Sequence, residues 1–204
     1  MGLKLRRRIG ATVFTGLLHL QAAATNQVEL EVVAWPEATA CLSCIPLQFD
    51  VLEMHIPPSL VDRVFVSGTD ATAIHVIPAG RDGRSSVYLR SLPANEPAGK
   101  YQQLAALPQE IKDASKFFDR LGQSAAAPDP WAKIRKIEGF DSAVGYTKAS
   151  KGIAHAYWIH AIPPNSQYVY LVIDGKPLVY SFSGEISPAL YDAILSNLKI
   201  SPAP

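Results

Sequence analysis

The chain of 204 residues carries 19 lysines and arginines against 18 aspartates and glutamates, and only two cysteines. A chain of this size can bury a core without many cross-links, so it is not a disulfide-dependent miniprotein. Beyond the basic residues of the first eight positions, 15 lysines and arginines stand against 18 acidic residues, so no basic stripe remains to neutralise phosphates and a nucleic-acid partner is not expected. Lys4, Arg6, Arg7 and Arg8 form a basic start, Ile9 to Leu20 is mostly apolar, and Gln21-Ala22-Ala23-Ala24 supplies small residues. That order is the layout of a cleaved secretory signal over residues 1–24, leaving 25–204 as one α+β domain. The apolar run, about 12 residues, is far short of the ~20 that span a bilayer as a helix. Removing four positive charges leaves 15 basic against 18 acidic residues, a balance of −3 suited to solubility in the periplasm or outside the cell.

Val28 to Val33, VELEVV, alternates apolar residues with glutamate and reads as a half-buried strand ended by Trp35-Pro36. Cys41 and Cys44 follow, three apart. In an exported chain the default for such a pair is a disulfide, a local staple worth about 2 kcal/mol. A redox-active pair would want a helix N-terminus behind the first thiol, whereas Leu47 to Ile56 alternates as a strand. Two cysteines and scattered histidines also fall short of a closed zinc site, and no other cofactor is indicated. Arg63 to Val66 is a short strand. Ala71–Ile77 and Ser85–Leu92 are strands around the turn Arg81-Asp82-Gly83-Arg84. Pro93, Pro97 and Gly99 mark a possible subdivision near 93–100.

Ile111, Ala114, Phe117, Phe118 and Leu121 recur at three- and four-residue spacing, predicting a helix capped by Gly122. After the connector 124–127, Asp129-Pro130-Trp131 opens a second helix reaching about Glu138. Strands follow over Ser142–Ala149 and Ile153–Ala161. Tyr168 to Phe182, YVYLVIDGKPLVYSF, is a hairpin with Asp174-Gly175 at its turn, pairing Leu171 with Leu178. Val169, Leu171, Leu178 and Tyr180 then share one face, and Tyr168, Tyr170, Val172 and Val179 the other. Both faces are apolar, so both are covered. Pro177 opposes Val172 in this register and places 177–182 at a sheet edge. Ser187-Pro188 opens a last helix to about Asn197, with Leu190, Ile194, Leu195 and Leu198 inward. Grouped strands without strand-helix alternation give an α+β fold, an antiparallel sheet with helices packed on it.

The hairpin Tyr168–Phe182, Gly184 behind it and SPALYDAILSNLKI, Ser187 to Ile200, resemble the small exported domains of the PsbP-like type. The resemblance spans about the last 70 residues and implies a sandwich of sheet and helices. That family includes binding, assembly and chaperone-like proteins, so the resemblance implies no catalytic residues.

No motif in the sequence carries chemistry. Ser183 lacks the flanking glycines of a nucleophile elbow, and Gly80, Gly83 and Gly99 do not have phosphate-loop spacing. His55 and His75 have no acid at a spacing that would orient them as bases. His155 and His160 lie five apart in one strand, hence on opposite faces, and cannot share a metal ion. The aromatic residues of the second half read either as core or as a binding surface formed by Tyr157, Trp158, Tyr168 and Tyr170 with His155 and His160. The leader and the absence of an acid–base–nucleophile grouping favour a non-enzymatic envelope protein that binds another protein, of immunity, inhibitor or assembly type. The alternatives are a thiol–disulfide factor using Cys41 and Cys44, or a small-molecule or lipid binder.

Overall fold

The computed structural model describes residues 28–38, 40–68, 72–81, 85–104, 107, 113–123 and 130–201. The expected leader, the Asp82-Gly83 turn, Ile111 and Asp129 lie outside these residues. The strands are β1 (Leu30–Val33), β2 (Ile45–Phe49), β3 (Leu52–Ile56), β4 (Val61–Ser67), β5 (Ala73–Pro78), β6 (Val87–Pro93), β7 (Ala143–Lys151), β8 (Ala154–Ala161), β9 (Gln167–Ile173), β10 (Leu178–Gly184) and β11 (Lys199–Ile200). The helices are α1 (Glu96–Leu104), α2 (Ala114–Leu121), α3 (Trp131–Ile137) and α4 (Pro188–Ser196). Eight strands form one sheet in the order β1-β7-β8-β9-β10-β6-β5-β4, and β11-β3-β2 form a second. The fold is α+β. β1 runs parallel to β7, so the large sheet is mixed and not wholly antiparallel as expected.

Two apolar clusters lie on opposite faces of the large sheet. Phe117, Phe118, Leu121, Trp131 and Ile134 of α2 and α3, with Tyr101 of α1, pack on Tyr157, Tyr170, Val172 and Val179. On the other face Leu190, Ile194 and Leu195 of α4, with Leu52, Met54 and Ile56 of the small sheet, pack on Val169, Leu171, Tyr180 and Phe182. These are the two faces expected of the hairpin. Its register differs: Leu171 opposes Tyr180 and Val172 opposes Val179, two residues from the expected pairing. A slip of two preserves the pleat, so every side chain keeps its face. Pro177 consequently sits in the Asp174–Pro177 loop, where it lacks no ladder bond, and its carbonyl accepts from Ala94 N–H at 2.7 Å. β10 is not the expected edge strand, being paired on both sides, with β9 and β6. The β6–β10 pairing carries the large sheet across the Pro93–Gly99 stretch.

The single strand expected over Leu47–Ile56 is instead the β2–β3 hairpin, turning at Asp50-Val51. Asp50 has φ 53°, the left-handed conformation that aspartate tolerates better than most residues. Its carboxylate accepts from Tyr180 O–H at 2.5 Å, tying the small sheet to the large one. Side-chain caps start two helices: Asp113 accepts from Lys116 N–H at 3.1 Å, and Ser187 from Leu190 N–H at 3.2 Å. Gly122 ends α2 with a right-handed φ of −87°, so the helix end does not demand glycine for a left-handed turn. Its neighbours demand it instead: a Cβ there would overlap the Leu30 Cβ and stand 2.8 Å from the Tyr146 ring.

Arg135 on α3 is buried and donates to Leu121 O at 2.6 Å and to Val28 O at 2.5 Å, with its guanidinium 4.2 Å over the Phe140 ring. Each such charge-assisted bond contributes about 1.5–3 kcal/mol. Together they join the end of α2, the approach to β1 and α3. Gly122→Ala should destabilise the fold by about 1–3 kcal/mol through overpacking between β1 and α2. Urea unfolding followed by tryptophan fluorescence checks this; an unchanged midpoint would show that β1 yields freely.

Candidate functional site

The expected aromatic binding surface lies largely inside the protein. Tyr157 is 0%, Trp158 5% and Tyr170 8% exposed, while Tyr168 is half-buried. Phe118 stacks on both Tyr157 and Tyr170, with ring centroids at 5.1 and 4.5 Å. Tyr157 O–H donates to Asp119 Oδ1 at 2.9 Å, and Lys148 closes an ion pair with the same carboxylate at 2.7 Å. Tyr170 O–H donates to Glu138 Oε2 at 2.9 Å; Tyr101 O–H and Lys100 Nζ also bind that glutamate. Burial first, and the neighbouring carboxylate second, push the hydroxyls of Tyr101, Tyr157 and Tyr170 well above the ordinary range. They therefore act as permanent donors, to the buried Glu138 and the half-buried Asp119.

His155 and His160 point to opposite faces, as their spacing requires. Trp158 and His160 stack at 3.7 Å, and Trp158 and Tyr191 at 4.2 Å, a column against α4. His155 Nδ1 is 2.8 Å from Ser150 Oγ, and its Nε2 is 3.1 Å from Asp174 Oδ2. No spacing along the chain signals this hydroxyl–imidazole–carboxylate row, because its members sit on β7, on β8 and in the loop after β9. Ser150 and Asp174 are exposed at the ends of hairpins, and Ser115 Oγ binds Asp174 Oδ1 at 3.1 Å. An activated serine needs water excluded and donors set for an oxyanion. Open hairpin ends do not exclude water, and the row instead lashes β8, the hairpin loop and α2 together. His55 does have an acid beside it, contrary to the sequence reading: Glu53, two residues earlier on the same strand face, lies 3.4 Å away. Lys199, bonded to Glu53 at 2.9 Å, holds that carboxyl below its ordinary range. His75 is held by Ser67 Oγ between the rings of Phe65 and Tyr88.

A concavity lies elsewhere. After β1 the chain turns across α4, where Trp35 Nε1 donates to Leu195 O at 3.0 Å. Cys41 and Cys44 are joined in a disulfide with Cα atoms 5.4 Å apart, closing the loop that presents Leu42 fully to solvent. β2 begins at Ile45, so no helix N-terminus stands behind either sulfur. Between this loop, the Pro57–Leu60 turn and α4 lies a cleft of about 570 Å³, lined by Trp35, Glu37, Cys41, Pro57, Leu60 and Asp192 among others. Its charged lining is acidic, Glu37 and Asp192. A second depression of about 370 Å³ shares Cys41, Ser196 and Asn197 with the first and adds His55, Lys151 and Lys199. The two form one path around the end of α4, acidic at one end and basic at the other.

Of this path the sequence reading singles out Cys41, and weighs His55 only as a base. Trp35, Glu37 and Asp192 were missed, though Asp192 falls off the inward Leu190–Ile194 stripe and Trp35 adjoins the cysteine loop. Among the described residues, no three or more His, Cys, Asp or Glu side chains gather as a metal site, and no helix is long and apolar enough to cross a membrane. No family model matches the chain, and neither does any curated protein or solved structure.

Replacing both cysteines with serine should lower stability by about 2 kcal/mol while leaving far-UV circular dichroism unchanged, because the closed loop is short. Urea titration of the variant reads this; loss of the fold would make the staple a condition of folding. Burial lowers the His160 pKa from 6.5, so the folded state binds fewer protons than the unfolded one. The stability this contributes is present above the unfolded value and is lost as pH falls through the folded one. His160→Gln should therefore flatten the fall in urea midpoint between about pH 7.5 and 5, and equal slopes in both proteins would remove His160 as its source.

Proposed function

We propose that this protein is an exported envelope or secreted protein, and that it works as a non-enzymatic interaction module holding a segment of another protein along the path beside its disulfide. The observation that carries this reading is the cleft of about 570 Å³ between the stapled loop and α4, with acidic residues at one end and lysines at the other. Clefts of this size accommodate side chains of a partner or a small ligand. A bipolar path also favours one direction of an extended segment, with a basic residue over Glu37 and Asp192 and an acidic one near Lys151. Export is supported by the basic–apolar–small order of residues 1–24, and the disulfide is compatible with an oxidising compartment. The resemblance of residues 131–200 to PsbP-like domains adds a family in which binding and assembly roles occur.

A redox role for Cys41 and Cys44 is the second reading, favoured by the exposed turn between them. It predicts a reduction potential well above about −300 mV, whereas a structural staple lies below that value.

Two measurements test the proposal. Native mass spectrometry of the chain recovered from an envelope-bearing host, without reducing agent, should give a protein beginning at Thr25 and about two mass units lighter than the reduced chain. A photo-reactive residue placed at Ala189 or Asn197 should cross-link one and the same protein, and Asp192→Lys should weaken that adduct at least about tenfold, as for the loss of an interfacial charge pair. A retained Met1, or adducts indifferent to Asp192→Lys, would sink the reading.

A further inference from the structure

The two edges of the large sheet are treated differently. β1 is four residues long and carries exposed Glu31, with Glu29 just before it, the usual blunting of an edge against stray pairing. β4 is seven residues long, VDRVFVS, and pairs on one side only, with β5. Its centre is Val64-Phe65-Val66, with Phe65 47% and Val66 65% exposed on opposite faces. The single irregularity of its pairing with β5 falls between Val61 and Arg63, leaving Arg63–Ser67 regular. Phe65 is held upright by stacking on His75 at 4.4 Å, and His75 by Ser67. Past that irregularity this edge is regular and apolar at its centre, the form that accepts another strand.

We propose that β4 pairs antiparallel with β4 of a second copy of this chain, in a register centred on Val64. A two-fold axis perpendicular to the sheet keeps each copy's faces on the same side, so opposed residues differ by an even number of positions. Centring on Asp62 or Arg63 sets like charges face to face, which is destabilising. Centring on Val64, the midpoint of Val61–Ser67, pairs the whole strand. It sets Val64 against Val64 and, twice, the Arg63 guanidinium against the exposed Phe65 ring of the other copy. Asp62 and Arg63 bring the strand to zero net charge, so a second copy meets no net repulsion there, and Arg63 Nε is already bonded to Asp62 at 3.0 Å. The result is a continuous sheet through both copies. Its interface is one strand pair, small by the standards of stable complexes, so the dimer is weak.

Sedimentation velocity of the chain recovered from its host should show a monomer–dimer equilibrium between about 1 μM and 1 mM. F65K places an ammonium against Arg63 of the second copy and should raise the dissociation constant at least about tenfold; V66E, on the other face, sets a carboxylate against Asp62 of the second copy and should do the same. R63E/F65K replaces that repulsion with an ion pair and should restore dimerisation, a rescue specific to this register. Circular dichroism of each variant confirms that the exposed substitutions leave the monomer folded. A monomer at every concentration, a dimer indifferent to F65K and V66E, or no rescue by the double variant overturns the proposal.

Discussion

Strands β8, β9 and β10 are apolar on both faces, and most of the architecture answers that constraint. A sheet buried on both sides needs two covers, and the chain supplies them from different materials: α1–α3 on one face, α4 and a small sheet on the other. Covering layers bring polar groups inward, where they need partners, and among the described residues only the Tyr191 hydroxyl is buried without one. Glu138 gathers two tyrosines and a lysine, Asp119 a tyrosine and a lysine, and Arg135 two carbonyls. Tyr157 and Tyr170, part of the docking surface expected from the sequence, are donors of this internal system. Their hydroxyls let large rings lie under helices without stranding a carboxylate.

The covers do not extend over everything, and the remainder is where binding can occur. The disulfide loop and the Pro57–Leu60 turn lean toward α4 without filling the space between, and the Trp35–Leu195 bond fixes the spacing. At the opposite side, beyond β6, Phe65 and Tyr88 remain exposed around His75. One molecule thus offers a concave path with charges at its ends and a straight apolar edge, two surfaces suited to different kinds of association.

What the sequence disclosed follows from how local the responsible physics is. The α2 and α4 stripes and the two faces of the β9–β10 hairpin rest on side-chain period, which survives even a register slip of two residues. The β2–β3 turn was hidden because Asp50 sits inside an alternating run without glycine or proline, and only its left-handed backbone breaks the strand. Pro177 misled for the opposite reason: a strong local signal was absorbed by a loop two residues longer than Asp174-Gly175 alone suggests. The parallel β1–β7 pair, the small sheet, the cleft and the Ser150–His155–Asp174 row are assembled from distant segments, and no spacing along the chain encodes them. Cys41 and Cys44 marked the neighbourhood of the cleft, but its walls come from α4, some 150 residues away.

The small sheet has an order in time as well as in space. β3 is its central strand, flanked by β2 from the same hairpin and by β11, and Ser201 N–H binds Val51 O at 2.8 Å. The Lys199–Glu53 bond beside this pair joins residues 146 positions apart, a closure that costs about 4 kcal/mol of chain entropy. A chain emerging from its N-terminus therefore holds β3 half-paired until residues 199–201 arrive. The layer beneath α4 is completed only when nearly the whole polypeptide is available.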